Sequence, residues 1–437
     1  MIVRARDVDA AIARTILSAS FPQAVAEQPL RLAWTLDFVD ARVRGTSTVV
    51  RLGVCISAFV LGSIVRAAGV DVRTGEPDDV ARALHRWLDL PLPVLALVTG
   101  GSGYFGSMLA GELATRGHQV WLLDLEDSPD RPSSMEFVRG DIRDPHAVAT
   151  AVDGVGVVFH NVAQVPLARD PALFNDVNVH GMQVLLDACC AARTSKVVHT
   201  SSSAVFGVPV RNPVDESTPP SPAESYGWAK YEAELLCARA ASRGLDVSII
   251  RPRTILGHGR LGIFSIVFDW VADGADVFVL GKGDNIYQFV HAADLADACI
   301  RAGECPGPRT YNIGAAEFGS MSEALEGLVA HAGSRSRVRS LPAAPTTLAM
   351  KATSAAKLTP FAPYHWIMYG KSLWFDITRA TTELGWQPKY STDEMFAESF
   401  DWFLANRGEH KGASEHRRPV RQGLLTAAKR AFGAGRS

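Results

Sequence analysis

Apolar residues follow two rhythms along this chain. From Val94 onward, short and nearly continuous apolar runs recur: V-L-A-L-V at 94, Q-V-W-L-L-D at 119, G-V-V-F-H at 156, K-V-V-H-T at 196 and V-S-I-I-R at 247. Amphipathic stretches at helical spacing separate them. Apolar strands alternating with helices predict a parallel sheet covered on both faces, an α/β doubly wound fold. Before Val94 the rhythm is helical, notably at 33–43 and 80–88, until Pro91 and Pro93 punctuate the chain. After Arg407 the composition turns to charge and small residues. Three regions are therefore expected: a helical N-terminal extension of unassigned role (1–92), an α/β domain (93–407), and a basic mobile tail (408–437). The α/β domain is expected to carry a smaller substrate-capping part, built mainly from residue 251 onward.

Two apolar segments bear on membranes. Residues 52–65 read L-G-V-C-I-S-A-F-V-L-G-S-I-V between Arg51 and Arg66. Crossing a hydrocarbon core takes about 20 residues, so a buried helix is the first expectation and a membrane-surface helix the second. In the tail, Val420, Leu424, Leu425, Ala428 and Phe432 can share one helix face, with Arg421, Lys429 and Arg430 elsewhere. Such a helix can dock on a partner or a membrane surface; the other reading is a solvated tail.

The formal net charge of −2 gives no electrostatic reason for a nucleic-acid partner. The six cysteines form no C-x-x-C pair, and no His/Cys group has metal-ligand spacing. Free thiols in a cytoplasmic protein without a metal are expected, with membrane association left open.

Thr99-Gly100-Gly101-Ser102-Gly103-Tyr104-Phe105-Gly106 lies between the first strand and a helix. That placement makes it a dinucleotide site. Gly100 permits the turn, Gly103 lets backbone approach a pyrophosphate, and Gly106 lets helix pack on strand. Helix-start N–H groups then face the anion. Asp124 ends the next strand, where a carboxylate accepts both ribose hydroxyls. It would repel the extra phosphate of NADP, and no arginine directly follows it, so NAD is expected.

At this point residues 94–407 resemble the extended short-chain dehydrogenase/reductase family, which includes sugar-nucleotide epimerases and dehydratases. Gly140-Asp141-Ile142-Arg143-Asp144 is similar to the family turn whose first Asp contacts adenine, which implies Asp141 and Ile142 as cofactor residues. His160-Asn161-Val162-Ala163 resembles H-x-A-A, and Asn178 matches the Asn of N-x-x-G. The resemblance adds Tyr104, Phe105, Ala163 and Asn178 to the implied cofactor set. It also implies a homodimer through paired helices.

Tyr226 and Lys230 stand four apart, so they share one helix face. A free phenol has a pKa near ~10, and a nearby ammonium favours phenolate. In the family the catalytic hydroxyl stands five residues before a glycine; Gly207 then selects Ser202, with Ser201 and Ser203 as rivals. The implied chemistry is proton removal by Tyr226, hydride transfer to nicotinamide, and support of the developing charge by Ser202. Lys230 would hold the nicotinamide ribose as well.

Ser203 and Ala204 stand where sugar dehydratases carry Asp and Glu, which argues against elimination. A small-molecule substrate remains, of one of two kinds. P-V-D-E-S-T-P-P-S-P-A-E-S-Y-G-W-A-K (213–230) and F-D-I-T-R-A-T-T-E-L-G-W-Q-P (375–388) are similar to nucleotide-sugar epimerases, the first expectation. Thr254 and Tyr287, however, replace the Asn and Arg that grip the nucleotide there. Arg251, Arg253, Arg260 or Lys282 would have to compensate. The R-P-x-x-I-x-G form at 251 resembles 3β-hydroxysteroid dehydrogenases, which implies net oxidation of a sterol or other apolar alcohol as the alternative. Arg253, Thr254 and Tyr287 are the substrate candidates. A reading of another class is a non-catalytic NAD-sensing scaffold.

Overall fold

A computed structural model describes residues 94–165, 171–259, 262–407 and 423–433. The expectations for residues 1–92, Arg260, Val420 and Arg421 lie outside the described residues.

Strand β1 (Leu95–Thr99) lies inside the main sheet. Ala96 and Val98 enter one apolar cluster and Leu97 the other, as period-two alternation requires. Around it runs a seven-stranded parallel sheet ordered β10-β6-β5-β4-β1-β2-β3. Its other strands are β2 (Gln119–Asp124), β3 (Glu136–Arg139), β4 (Val157–His160), β5 (Lys196–Thr200), β6 (Val247–Pro252) and β10 (Arg309–Ile313). Every pairing in this sheet is parallel. The doubly wound expectation holds.

Helices fill both faces. On the Ala96 face lie α1 (Tyr104–Thr115) and α6 (Ala292–Glu304), with Leu109, Leu113, Leu295 and Ile300 buried against the strands. On the Leu97 face lie α2 (Pro145–Val152), α3 (Gly181–Ala192) and α4 (Ser225–Ser242), with Val148, Leu185, Leu186 and Ala233 inside. Local chemistry sets where they begin. Asp144 caps α2 by accepting from His146 N at 2.9 Å, and Pro145 opens the helix with its fixed φ.

The cap is built after β6 from two small parallel pairs, β7 (Thr254–Leu256) with β9 (Phe289–His291), and β8 (Val277–Leu280) with β11 (Val338–Leu341). Around them pack α5 (Phe264–Ala272), α7 (Met321–His331), α8 (Ala343–Ala355), α9 (Pro363–Met368) and α11 (Thr392–Ala405), while α10 (Thr378–Glu383) returns toward β10. Phe264, Phe268, Phe289 and Phe396 meet edge to face with centroids 5.2–6.3 Å apart, a third core separate from the two sheet clusters. Because α6 and β10 rejoin the sheet, the chain after 251 is divided between cap and main body.

Part of the tail forms a helix. Helix α12 (Leu425–Gly433) folds back onto the cap, where Leu425 and Ala428 pack against the aromatic core. Lys429 pairs with Asp269 and Asp273 of and beside α5, and Arg407 pairs with the same two carboxylates at 2.6 and 2.8 Å. This part of the tail is docked because its apolar face and its lysine both find partners on the cap.

Candidate active site

The sheet order reverses between β1 and β4, and their carboxyl ends open a crevice there. A single cavity of about 940 Å³ begins in that crevice and continues under the cap.

The glycine turn forms the first wall. Gly100 has φ +69°, and its N–H donates to Leu123 O at 2.8 Å. A Cβ on Gly106 would lie 2.0 Å from Gly100 O, so only glycine lets α1 start this close to the strand. Gly103 caps α1 without a side-chain acceptor. Gly100, Gly103, Tyr104, Phe105 and Gly106 all line the cavity. Asp124 lies opposite, its carboxylate accepting from Ser102 N (3.0 Å) and Leu125 N (2.8 Å). Burial pushes its pKa up against the pull of those two hydrogen bonds. The carboxylate thus fixes the turn and retains lone pairs for a diol. Asp141, Ile142 and Ala163 line the same end. Arg143, which sequence reasoning passed over, lines it too and holds Asp141 below the usual carboxylate range.

Asn178 is placed elsewhere. It does not line the cavity; its side-chain amide accepts from Gln164 N at 2.8 Å and donates to Gln164 O at 3.1 Å. It clamps the backbone of the segment after β4.

The chemical groups come from α4 and the end of β5. Glu224 caps α4 by accepting from Tyr226 N (2.8 Å) and Gly227 N (2.7 Å), which fixes the turn that presents Tyr226. A Cβ on Gly227 would stand 2.6 Å from Ala204 O; glycine here brings α4 against the turn that follows Ser202. Lys230, one turn on, donates to Thr200 O at 2.9 Å. It is fully enclosed, and burial pulls its pKa down to about 8. Ser202, Tyr226 and Lys230 line one cavity.

The three serines differ in what holds them. Ser201 donates to Glu234 at 2.6 Å, and Ser203 accepts from Arg253 at 2.8 Å. Ser202 Oγ accepts only from Ala204 N, at 3.1 Å, which leaves its proton to donate. Glu234 sits one helical turn past Lys230 and binds Arg251 through both oxygens, at 2.9 and 2.6 Å. Arg251 is therefore locked in the core and does not line the cavity; Lys282 does not line it either.

Under the cap, Arg253 lines the cavity from a buried position, its guanidinium 4.8 Å over the Tyr287 ring and 5.7 Å over Phe375, with Nε and Nη2 unpartnered among the described residues. Thr254 and Tyr287 hydrogen-bond to each other at 2.9 Å. Beyond them the wall is apolar: Ile263, Ile266, Val267 and Trp270 from around α5, Phe278 from β8, Met350 from α8, Met368 from α9, and Leu424, Leu425 and Ala428 beside and on α12. Of this wall the sequence marked only Leu424, Leu425 and Ala428, as an apolar helix face; the remaining residues lie far apart along the chain and follow no motif.

Residues 96–314 match the NAD dependent epimerase/dehydratase family. The chain belongs to that family. It is 51% identical over 333 residues to the uncharacterized protein y4nG of Sinorhizobium fredii, covering 76% of this chain and 84% of that one. It is 30% identical over 327 residues to a UDP-glucose 4-epimerase of Mycolicibacterium smegmatis, covering 70% and 97%. Among solved structures, MoeE5 in complex with UDP-glucuronic acid and NAD shares 25% identity with a TM-score of 0.59, over 71% of this chain and 99% of that one. The family is enzymatic, its cofactor is NAD, and the glycine turn, the uncapped start of α1 and Asp124 fit that cofactor. No group of residues suited to a metal ion occurs among the described residues. No described helix is long and apolar enough to cross a membrane.

Proposed function

We propose that this enzyme oxidises a secondary alcohol on a largely apolar substrate, with net formation of NADH. NAD, when bound at the glycine turn, supplies the hydride acceptor. Tyr226 takes the hydroxyl proton. Ser202 donates a hydrogen bond to the substrate oxygen and steadies its developing charge. Lys230, one turn along the same helix, brings an ammonium to the same cavity and favours phenolate.

One observation carries the choice of substrate. The wall beyond Tyr226 is largely apolar, and Thr254 and Tyr287 hydrogen-bond to each other at 2.9 Å where the resemblance would give a nucleotide diphosphate Asn and Arg. A diphosphate buried there would meet one guanidinium, that of Arg253, in place of the Asn and Arg of the resemblance, which offsets less of its desolvation. The same gap disfavours epimerisation. Returning hydride to the opposite face requires the ketone to turn over while still held, and among the described residues no cation besides Arg253 lines that arm to hold it.

A nucleotide sugar is the second reading. It is favoured by the match to a UDP-glucose 4-epimerase along 97% of that enzyme's length.

Purified enzyme with NAD, presented separately with sterols, long-chain secondary alcohols and UDP-sugars, decides between them. NADH accumulation with an apolar alcohol supports the proposal. Conversion of a UDP-sugar to its epimer without NADH overturns it.

A further inference from the structure

The outer surface of the cap, next to the apolar arm of the cavity, is unusual for a water-exposed surface. Thr346, Ala349, Met350 and Thr353 of α8 face the cavity at helical spacing. The opposite face of α8 carries Ala344, Leu348, Lys351, Ala352 and Ala355. Leu348 is 68% exposed, Leu358 just after the helix 50%, and Leu424 52%. Leu358 and Leu424 adjoin, since Leu424 N donates to Leu358 O at 2.9 Å. An exposed helix face ordinarily carries charges of both signs. Here no Asp or Glu occurs anywhere between Glu326 and Asp376, while Lys351, Lys357 and Lys371 do. Neither Lys351 nor Lys357 has an acidic partner among the described residues.

Lys357 adds an independent sign. It follows the C-cap of α8 with φ +58°, a left-handed conformation for which glycine is the favoured residue. A lysine there retains its cation at the expense of backbone comfort.

We propose that this face, formed by Leu348, Lys351, Lys357, Leu358 and Leu424, docks on an anionic lipid bilayer. Leucines enter the headgroup boundary while the lysines meet lipid phosphates. The surface is continuous with the cavity, because Met350, Thr359 and Leu424 line it. An apolar alcohol can then pass from bilayer to active site without crossing water. That purpose rests on the apolar-substrate reading above; the binding itself does not.

The test is co-sedimentation of the full chain with vesicles of phosphatidylcholine alone or mixed with phosphatidylglycerol. Binding is expected only to the mixed vesicles and is weakened by salt. Lys351→Gln and Lys357→Gly should each weaken it about five-fold. Lys357→Gly should also raise the melting temperature, which separates lost docking from lost folding. Leu348→Ser with Leu358→Ser should reduce binding without changing turnover of a water-soluble alcohol. Absence of binding to mixed vesicles overturns the proposal. So does binding that survives all four substitutions, which would place the contact elsewhere on the chain. Vesicle binding together with UDP-sugar turnover would leave docking standing and remove the apolar-substrate reading. NADH formation from a detergent-dispersed alcohol without vesicle binding would do the reverse.

Discussion

Glu234 of α4 and Arg251 of β6 form a doubly hydrogen-bonded ion pair in the core, and Ser201 donates to the same carboxylate. The pair ties the helix that carries Tyr226 and Lys230 to the strand end that carries Ser202. It lies one layer behind the proposed catalytic groups.

Removing one partner should be costly. Glu234→Ala strands a buried guanidinium, and a loss of about 3–5 kcal/mol in urea unfolding is expected. Glu234→Leu combined with Arg251→Met should recover much of that stability, yet not full turnover, since the helix loses its tether to Ser201. Full activity in the double variant would show that the tether does not position the site.

How much of this was legible beforehand depended on distance along the chain. The five apolar strands, the glycine turn and the Tyr226/Lys230 pair are local patterns, and the structure places them in one crevice. Strand β3 is four residues on the sheet edge and β10 mixes polar with apolar residues, so neither announced itself. The Glu234–Arg251 pair spans separate elements, although the spacing of Glu234 from Lys230 put both on one helix face. The motif match located Asn178, and its contacts to the Gln164 backbone come only from the fold. The Thr254–Tyr287 hydrogen bond could not be foreseen, because two substitutions that looked like separate losses complete each other.

Lys230 gives a pH prediction. Burial lowers its pKa from 10.5 to about 8. The folded protein therefore holds fewer protons than the unfolded chain between those values, and stability rises with pH across that window. Below about pH 8 the full cost of the buried ammonium applies, on the order of 3 kcal/mol. Lys230→Met should match or exceed the wild type in thermal stability at pH 7, lose turnover, and show no such rise toward pH 10. A Lys230→Met protein markedly less stable at pH 7 would contradict this.

Gly106→Ala places a Cβ 2.0 Å from Gly100 O. The turn must open, and NAD affinity by calorimetry should fall at least tenfold. Gly111→Ala on the same helix meets nothing within 4 Å and serves as the control, with unchanged affinity and slightly higher stability.

Trp228, 51% exposed, and Leu235 lie two turns apart on the outer face of α4. We propose that this face pairs with its copy in a homodimer. Trp228→Asp with Leu235→Asp should yield a monomer by light scattering; an unchanged mass in both proteins would exclude the face.

The account rests most directly on the phenol of Tyr226. The measurement is the initial rate of NADH formation by wild type and Tyr226→Phe on the same alcohol, alongside NAD affinity for each. A rate lower by about 10²–10⁴ with unchanged NAD affinity is predicted. Equal rates in the two proteins would contradict the account.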